Sequence, residues 1–357
     1  MILITLVRSF SQTNFKNKGG RKMRKIKSLA FITALLFVSI LLGAPNGTAL
    51  AEKIKIGFSM YSMNAPYFVE MRRVAKDQGK KLGIDLAITD AEGKVDKQLS
   101  DVEDLITQKC NVIILMPMDA VGSRAMVRAA NKADIPIIAF NNKVKLTPDI
   151  KVVTTWLPEW FDIGKLSGLY AGKLIGKKKV NMVLINGRIG SYAEWARKFG
   201  SLQGIMEYQL EKYNRTFINV IAQGWGNWSY DGGLQAMEDI LAAHAQTKID
   251  VILAENDSMA LGSLKAMEEA GRLDELMFLA ASCDGQKEGL EAIMKGSYKG
   301  KYVCSGINSP GKNITTVLDM AVQVAKGKTD WPAVINPEPE LATKKNVKEY
   351  YNPDSGF

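Results

Sequence analysis

One histidine stands in 357 residues, beside only three cysteines. A lone imidazole excludes histidine-based metal centres and any Ser-His-Asp triad. That residue, His244, closes the amphipathic run Ile240-Leu241-Ala242-Ala243-His244, where a structural or surface role is expected. Cys110, Cys283 and Cys304 are odd in number, which rules out a full disulfide framework, and no Cys-x-x-Cys occurs. Cys110 reads as a structural thiol, whereas the pairing of Cys283 with Cys304 is left open by the sequence. There is no G-x-x-x-x-G-K-S/T phosphate loop, and Gly224-Trp225-Gly226 begins a dinucleotide fingerprint that Trp228 and Ser229 fail to complete. No acid/base pair stands out. The expectation is a chain without catalysis, metal or cofactor.

Acidic residues are missing from one region altogether. The first 51 positions hold eight of the 47 basic residues and none of the 37 acidic ones, so the overall +10 falls to +2 for the remainder. The basic excess therefore speaks for the leader and not for a nucleic-acid partner. A basic stretch ending at Lys27, an apolar run from Leu29 to Leu42 and the small-x-small site Ala49-Leu50-Ala51 make the layout of a secretory signal peptide. The run of 14 residues is short of the roughly 20 needed to span a bilayer. Later segments offer no longer one, and no cysteine follows the cleavage site to take a lipid. Export and release of a soluble protein starting near Glu52 is expected, not embedded in the membrane after cleavage.

What is present from Lys53 onward is alternation. Ten short β-branched or apolar runs, from Ile54–Met60 to Tyr302–Ile307, are interleaved with nine helical patterns. Continuous apolar strands alternating with amphipathic helices predict α/β architecture, with parallel sheets covered on both faces. The order reads as two successive βα halves, the first ending near Thr154, and so as two doubly wound lobes. Ligands of such sheets bind beyond the carboxyl ends of the strands. Polar and aromatic residues concentrate there: Asn64-Ala65-Pro66-Tyr67, Pro117-Met118-Asp119, Asn141-Asn142, Asn256-Asp257 and Cys283-Asp284-Gly285.

Aromatic side chains beside amides and carboxylates, among them Tyr67, Phe68, Trp156, Trp160, Trp225, Trp228 and Tyr230, suit a sugar. Flat rings match the apolar faces of a sugar ring, while Asn and Asp match its hydroxyls.

These residues carry a resemblance. The segment Ile249-Asp250-Val251-Ile252-Leu253-Ala254-Glu255-Asn256-Asp257-Ser258-Met259-Ala260-Leu261-Gly262 is similar to a junction of the ribose-binding-like branch of type I periplasmic binding proteins. Asn64-Ala65-Pro66-Tyr67-Phe68, Ile135-Pro136-Ile137-Ile138, Cys283-Asp284-Gly285, Ala292-Ile293-Met294-Lys295-Gly296 and Asn308-Ser309-Pro310 support it, over about Lys53 to Lys328. The resemblance implies two lobes joined by a three-segment hinge, near Thr154–Leu157, Ile307–Pro310 and Val334–Pro339. The first lobe would hold residues 52–155 and about 309–335, and the second 156–308 and about 336–357. Carried over by position, Tyr67 and Phe68 resemble the first-lobe aromatic pair and Trp228 the stacking ring of the second. Asn256, Asp284 and Asn308 match hydroxyl-binding residues, and Arg197 matches a second-lobe arginine, with a two-residue difference in spacing. Asn141-Asn142 stands where ribose- and hexose-binding members carry Asp-Arg, and Ala65 where an Asn is common. Asp119, Trp156 and Tyr230 are further candidates at the cleft. The implied function is periplasmic capture of a sugar or polyol other than ribose, by a monomer that delivers it to an ABC permease. A sensing partner of a chemoreceptor or histidine kinase is the alternative, since the same fold serves both.

Overall fold

The apolar runs become the strands of two six-stranded sheets, with helices on both faces of each. The computed structural model describes residues 53–357, so the leader and its cleavage site lie outside the described residues. The first sheet contains β1 (Lys55–Met60), β2 (Asp85–Asp90), β3 (Val112–Leu115), β4 (Ile137–Phe140), β5 (Thr154–Trp156) and β11 (Val334–Ile335). All its pairings are parallel, in the order β11-β5-β4-β3-β1-β2. The second contains β6 (Val180–Asn186), β7 (Ile218–Trp225), β8 (Val251–Ala254), β9 (Phe278–Asp284), β10 (Tyr302–Ile307) and β12 (Glu340–Thr343). Its order is β12-β10-β9-β8-β6-β7, and only β12, beside β10, is antiparallel. Both sheets follow one doubly wound order, with the switch point between β1 and β3 in one and between β6 and β8 in the other. The α/β fold class expected from the alternation is the one formed.

The helices are α1 (Pro66–Leu82), α2 (Val95–Thr107), α3 (Arg124–Lys132), α4 (Trp160–Ile175), α5 (Tyr192–Tyr213), α6 (Tyr230–Ala243), α7 (Asp257–Glu269), α8 (Lys287–Lys295) and α9 (Pro310–Ala325). Local chemistry explains where several begin. Ser191, Ser229, Asn256 and Ser309 are N-caps whose side-chain oxygens accept from the backbone N–H of Glu194, Gly232, Met259 and Lys312. Pro66 and Pro310 occupy first turns, where a missing N–H costs nothing. Strands β3, β4 and β8 are buried along their whole length, as parallel strands covered on both faces must be.

The chain passes between the sheets after β5, after β10 and between β11 and β12. Asn336 Nδ2 donates to the Leu157 carbonyl at 2.9 Å and ties two of these passages together. In the second lobe α4 lies almost backbone-to-backbone on α5. A Cβ at Gly168 would fall 2.0 Å from the Ser201 carbonyl oxygen, so only glycine permits this approach, which fixes α5 and its Arg197 over the sheet.

One feature departs from the sequence reading, and one question it left open, the pairing of Cys283 with Cys304, is answered. Residues 336–357 were expected in the second lobe, but Phe357 is buried in the first-lobe core with Tyr67 and Met71, because the last residues cross back to it. The three cysteines are all free and buried, and Cys304 Sγ lies 3.7 Å from Ser167 Oγ.

Candidate functional site

The loops at the carboxyl ends of the two sheets hold most of the residues singled out above. On the first lobe, Tyr61 one residue beyond β1 and Tyr67 and Phe68 in the first turn of α1 form an aromatic cluster. Phe68 meets Tyr61 edge-on at 5.1 Å and Tyr67 at 5.4 Å, the favoured arrangement of ring quadrupoles. Tyr67 is buried, and its hydroxyl lies beside Asn313 without a hydrogen bond of good geometry. Burial first, and then Asp284 of the second lobe, push that hydroxyl far above its usual range. Burial pushes Tyr61 up to about 12, while Arg188 and Arg197 oppose the shift and Asp284 adds to it. These influences come from the other lobe, so the tyrosines lie within electrostatic reach of Arg197 and Asp284.

Asn141 leaves β4 in a left-handed conformation (φ 66°) that Asn tolerates better than most residues. It is buried, and its Oδ1 has no partner. Asn142 instead donates its Nδ2 to the Pro117 carbonyl at 2.7 Å, which braces the loop after β3.

The second lobe centres on Arg197. Its guanidinium is buried between the rings of Trp228 and Trp160, 5.1 and 5.9 Å from their centroids. Nη2 donates to Asp284 Oδ1 at 2.9 Å and Nη1 to the Glu255 carbonyl at 3.2 Å, whereas Nε has no partner. Trp228, itself at φ 67°, lies against Gly187, where an added Cβ would come 2.0 Å from the ring. The Gly187 N–H donates to Glu255 Oε2 at 2.9 Å, leaving Oε1 without a partner. Burial pushes the Glu255 carboxyl up to about 8, so it carries its proton at neutral pH.

Beneath Asp284, the buried Asp257 organises the turn. Its Oδ2 accepts from the N–H groups of Asp284, Gly285 and Gln286 at 2.7, 2.8 and 3.0 Å, and from Ser305 Oγ at 3.0 Å. Its Oδ1 accepts from the Tyr302 hydroxyl. Burial still draws this carboxyl up to about 6 against those donors.

Some expected residues are engaged elsewhere. Asp119 is exposed, and its Oδ1 accepts from Val121 N at 2.8 Å and Gly122 N at 2.5 Å, a local turn. Tyr230 is 39 % exposed at the start of α6. Trp156 donates its indole N–H to Asn313 Oδ1 at 3.4 Å, and Asn308 Oδ1 accepts from Asn313 Nδ2 at 2.8 Å, so both are tied to α9 at the hinge. Asn256 uses both ends of its amide, capping α7 through Oδ1 and holding the Trp228 carbonyl through Nδ2 at 3.1 Å.

Sequence reasoning missed Tyr61, Glu255 and Asn313 as site residues. Tyr61 follows β1 outside any motif, Glu255 ends an apolar strand, and Asn313 sits inside a helix pattern. Only the adjacency of Glu255 to Asn256-Asp257 gave a signal. Buried polar groups are nearly always satisfied within a protein. Here Tyr67 Oη, Asn141 Oδ1, Trp160 Nε1, Arg197 Nε and Glu255 Oε1 are among the buried atoms left without a partner. Among the described residues no group of His, Cys, Asp and Glu is placed to hold a metal, and no helix is long and apolar enough to cross a membrane.

Comparison with known proteins follows the same lines, for residues 56–329 match the family model of the periplasmic binding protein domain. The chain belongs to that family. Within it, the type I sugar-binding proteins of ABC importers are its relatives, and these are binding proteins, not enzymes. This periplasmic binding protein is 28 % identical to the galactofuranose-binding protein YtfQ of Escherichia coli over 263 residues, 73 % of this chain and 80 % of that one. It is 29 % identical to the xylitol-binding protein of Mycolicibacterium smegmatis over 306 residues, 85 % of this chain and 81 % of the other. A solved ABC transporter periplasmic solute-binding protein from Actinobacillus succinogenes, with bound D-allose, superposes with a TM-score of 0.73 at 26 % identity, covering 84 % of this chain and 100 % of that structure.

Proposed function

We propose that this protein captures a neutral sugar or polyol in the cleft between its lobes and delivers it to an ABC permease. The observation that carries the reading is the charge balance of an aromatic-walled cleft. Of the buried groups, Arg197 is matched by Asp284, burial raises the Glu255 carboxyl to about 8, and the other unpartnered groups are neutral hydrogen-bonding atoms; Arg188, which also acts on Tyr61, is exposed to solvent. A charged ligand would compete for one partner of the buried Arg197–Asp284 pair, whereas hydroxyls can donate and accept without disturbing it. The rings of Trp228, Tyr67 and Phe68 offer apolar faces for sugar carbons. Relatives that bind galactofuranose, xylitol and D-allose support the same chemistry, since a furanose, an open-chain polyol and a hexose share only adjacent hydroxyls on a carbon frame.

In this reading Tyr67, Phe68, Asn141, Arg197, Trp228 and Asp284 touch the ligand. Asn142, Asn256 and Asn308 hold the loops around them. Ligand contacts from both lobes favour the closed form by their differential affinity, and the permease reads that form. The mature protein acts in the periplasm as a monomer. The test is calorimetric titration of pentoses, hexoses, furanoses and polyols, beside charged analogues such as a uronic acid and an amino sugar. Binding confined to neutral compounds is expected. Preferential binding of the uronic acid or amino sugar would overturn the neutral-ligand reading.

A further inference from the structure

The last residues do something the sugar cleft does not require. After β12, the rings of Tyr350 and Tyr351 still pack on the second-lobe core. The chain then crosses to the first lobe. Phe357, 7 % exposed, enters the core there and meets the Tyr67 ring edge-on, with centroids 5.5 Å apart. One turn further along α1, Glu70 accepts a backbone hydrogen bond from Gly356 and lies 3.5 Å from Ser355 Oγ. Glu70 is itself held by Arg73 through bonds of 2.6 and 2.7 Å, so the docking point is rigid. From the other lobe, Lys287 at the start of α8 donates to the carbonyl of Ser355 at 3.3 Å and to that of Pro353.

We propose that residues 352–357 form a strap between the lobes, in which Phe357 positions Tyr67 and Lys287 makes the docked strap favour the closed cleft. The strap is a fourth link between the lobes beside the three hinge passages. Rotating the lobes apart pulls Lys287 away from the carbonyls of 353 and 355, or draws Phe357 out of its core. Six residues reach at most about 20 Å even when fully extended. Opening therefore breaks contacts at one end of the strap, and closing remakes them. The positioning of Tyr67 for a ligand rests on the sugar-cleft reading; the link between the lobes does not.

The experiment uses the full chain, Phe357→Ala, Lys287→Ala and a chain stopped after Tyr351. Each carries a pair of spin labels, one on the exposed face of α2 and one on the exposed face of α6. In the absence of sugar, the stopped chain and Lys287→Ala are expected to shift the inter-lobe distance distribution toward longer distances. Lys287→Ala leaves both cores intact, so it serves should the stopped chain fail to fold. With a sugar that binds, Phe357→Ala is expected to speed dissociation roughly tenfold, the scale of one edge-on aromatic contact. Distance distributions identical in Lys287→Ala and the unaltered protein would overturn the strap, whether or not any sugar binds. Unaltered distances together with normal sugar affinity would refute the strap alone and leave the sugar reading standing. Absence of sugar binding with lengthened distances would do the reverse.

Discussion

Gly187→Ala is the sharpest probe of the second-lobe platform, because the three atoms nearest the added methyl all belong to the Trp228 ring. The new Cβ would meet Trp228 Cη2, Cζ2 and Cζ3 at 2.0, 2.2 and 2.3 Å. Carbon atoms rest at about 3.5–4.0 Å, so the ring must move by roughly 1.5 Å. Trp228 is only half-buried, packing one side on the second-lobe core, so its displacement is taken up mainly toward solvent. The Gly187 N–H that holds Glu255 is retained. The expected result is a folded protein whose thermal midpoint changes little but whose sugar platform is displaced. Loss of one large aromatic face is worth about 1–3 kcal/mol, or a Kd raised roughly five- to 150-fold. Titration calorimetry on the best sugar, with Trp228→Ala alongside, measures this. The two variants are expected to weaken binding by similar factors. Gly187→Ala binding as tightly as the unaltered protein would remove Trp228 from the ligand face.

Asp284→Asn leaves the Arg197 guanidinium buried without its counter-charge, and breaking a buried pair costs about 3–5 kcal/mol. Denaturant melts should show that loss, and binding should fall with it; unchanged stability would mean that the pair is solvated. Glu255 has a pH signature of its own. Its carboxyl holds a proton in the folded state up to about 8, against an ordinary value of 4.5. The folded protein therefore binds more protons than the unfolded chain between those values, and stability falls as pH rises through that window, levelling off above it. Glu255→Gln should flatten this decline in thermal midpoints measured from pH 5 to 9. A decline of the same size in both proteins would exclude Glu255 as its source. The three cysteines are buried, with burial raising Cys110 to about 11 and Cys304 to about 12. A thiol reagent at neutral pH should label none in the native state and three in denaturant; rapid native labelling would contradict the packing.

The fold was legible because parallel sheets covered on both faces impose a coarse pattern. Val112–Leu115 and Val251–Ala254 are apolar at every position, and their buried burial patterns follow directly. The caps went unread, although Ser191 and Asn256 stand just before apolar-periodic runs where such residues satisfy orphan N–H groups. The strands β11 and β12 escaped notice, being two and four residues long and only partly buried, with no pattern to detect. At the site, aromatic and amide residues announced themselves by sitting beyond strand ends. Their partners did not. Glu255 acquires its role from the Gly187 N–H, 68 positions away, and Asn313 from Trp156, 157 positions away. Phe357 meets Tyr67 only after the chain has passed through both lobes. Such pairings are set by tertiary packing, and periodicity carries no trace of them.

The departure at Asn141-Asn142 acquires a physical meaning once the cleft is seen whole. An Asp-Arg pair there would add a carboxylate and a guanidinium to a first lobe whose cleft residues are otherwise tyrosines, phenylalanine and amides. The two asparagines divide the task. Asn142 is turned inward to brace the loop after β3, and Asn141 keeps a buried, unpartnered Oδ1, which in the proposed reading is left for the ligand. In the proposed reading, a first lobe offering neutral groups, opposite a second lobe with one compensated ion pair, would discriminate by where hydroxyls lie and not by charge. Neutral hydrogen bonds are about half as strong as charge-assisted ones, so affinity leans more on the aromatic faces. Asn141→Asp should therefore reorder the preference among neutral ligands, favouring those that donate a hydroxyl at that position. It also places a second carboxylate across the cleft from Asp284, which should make binding weaken as pH rises through the carboxylate range. Titration of a sugar panel against both proteins from about pH 3.5 to 7.5, which spans the ordinary Asp range near 3.9, measures the two effects. An unaltered ranking, with no new pH dependence, would show that Asn141 does not face the ligand.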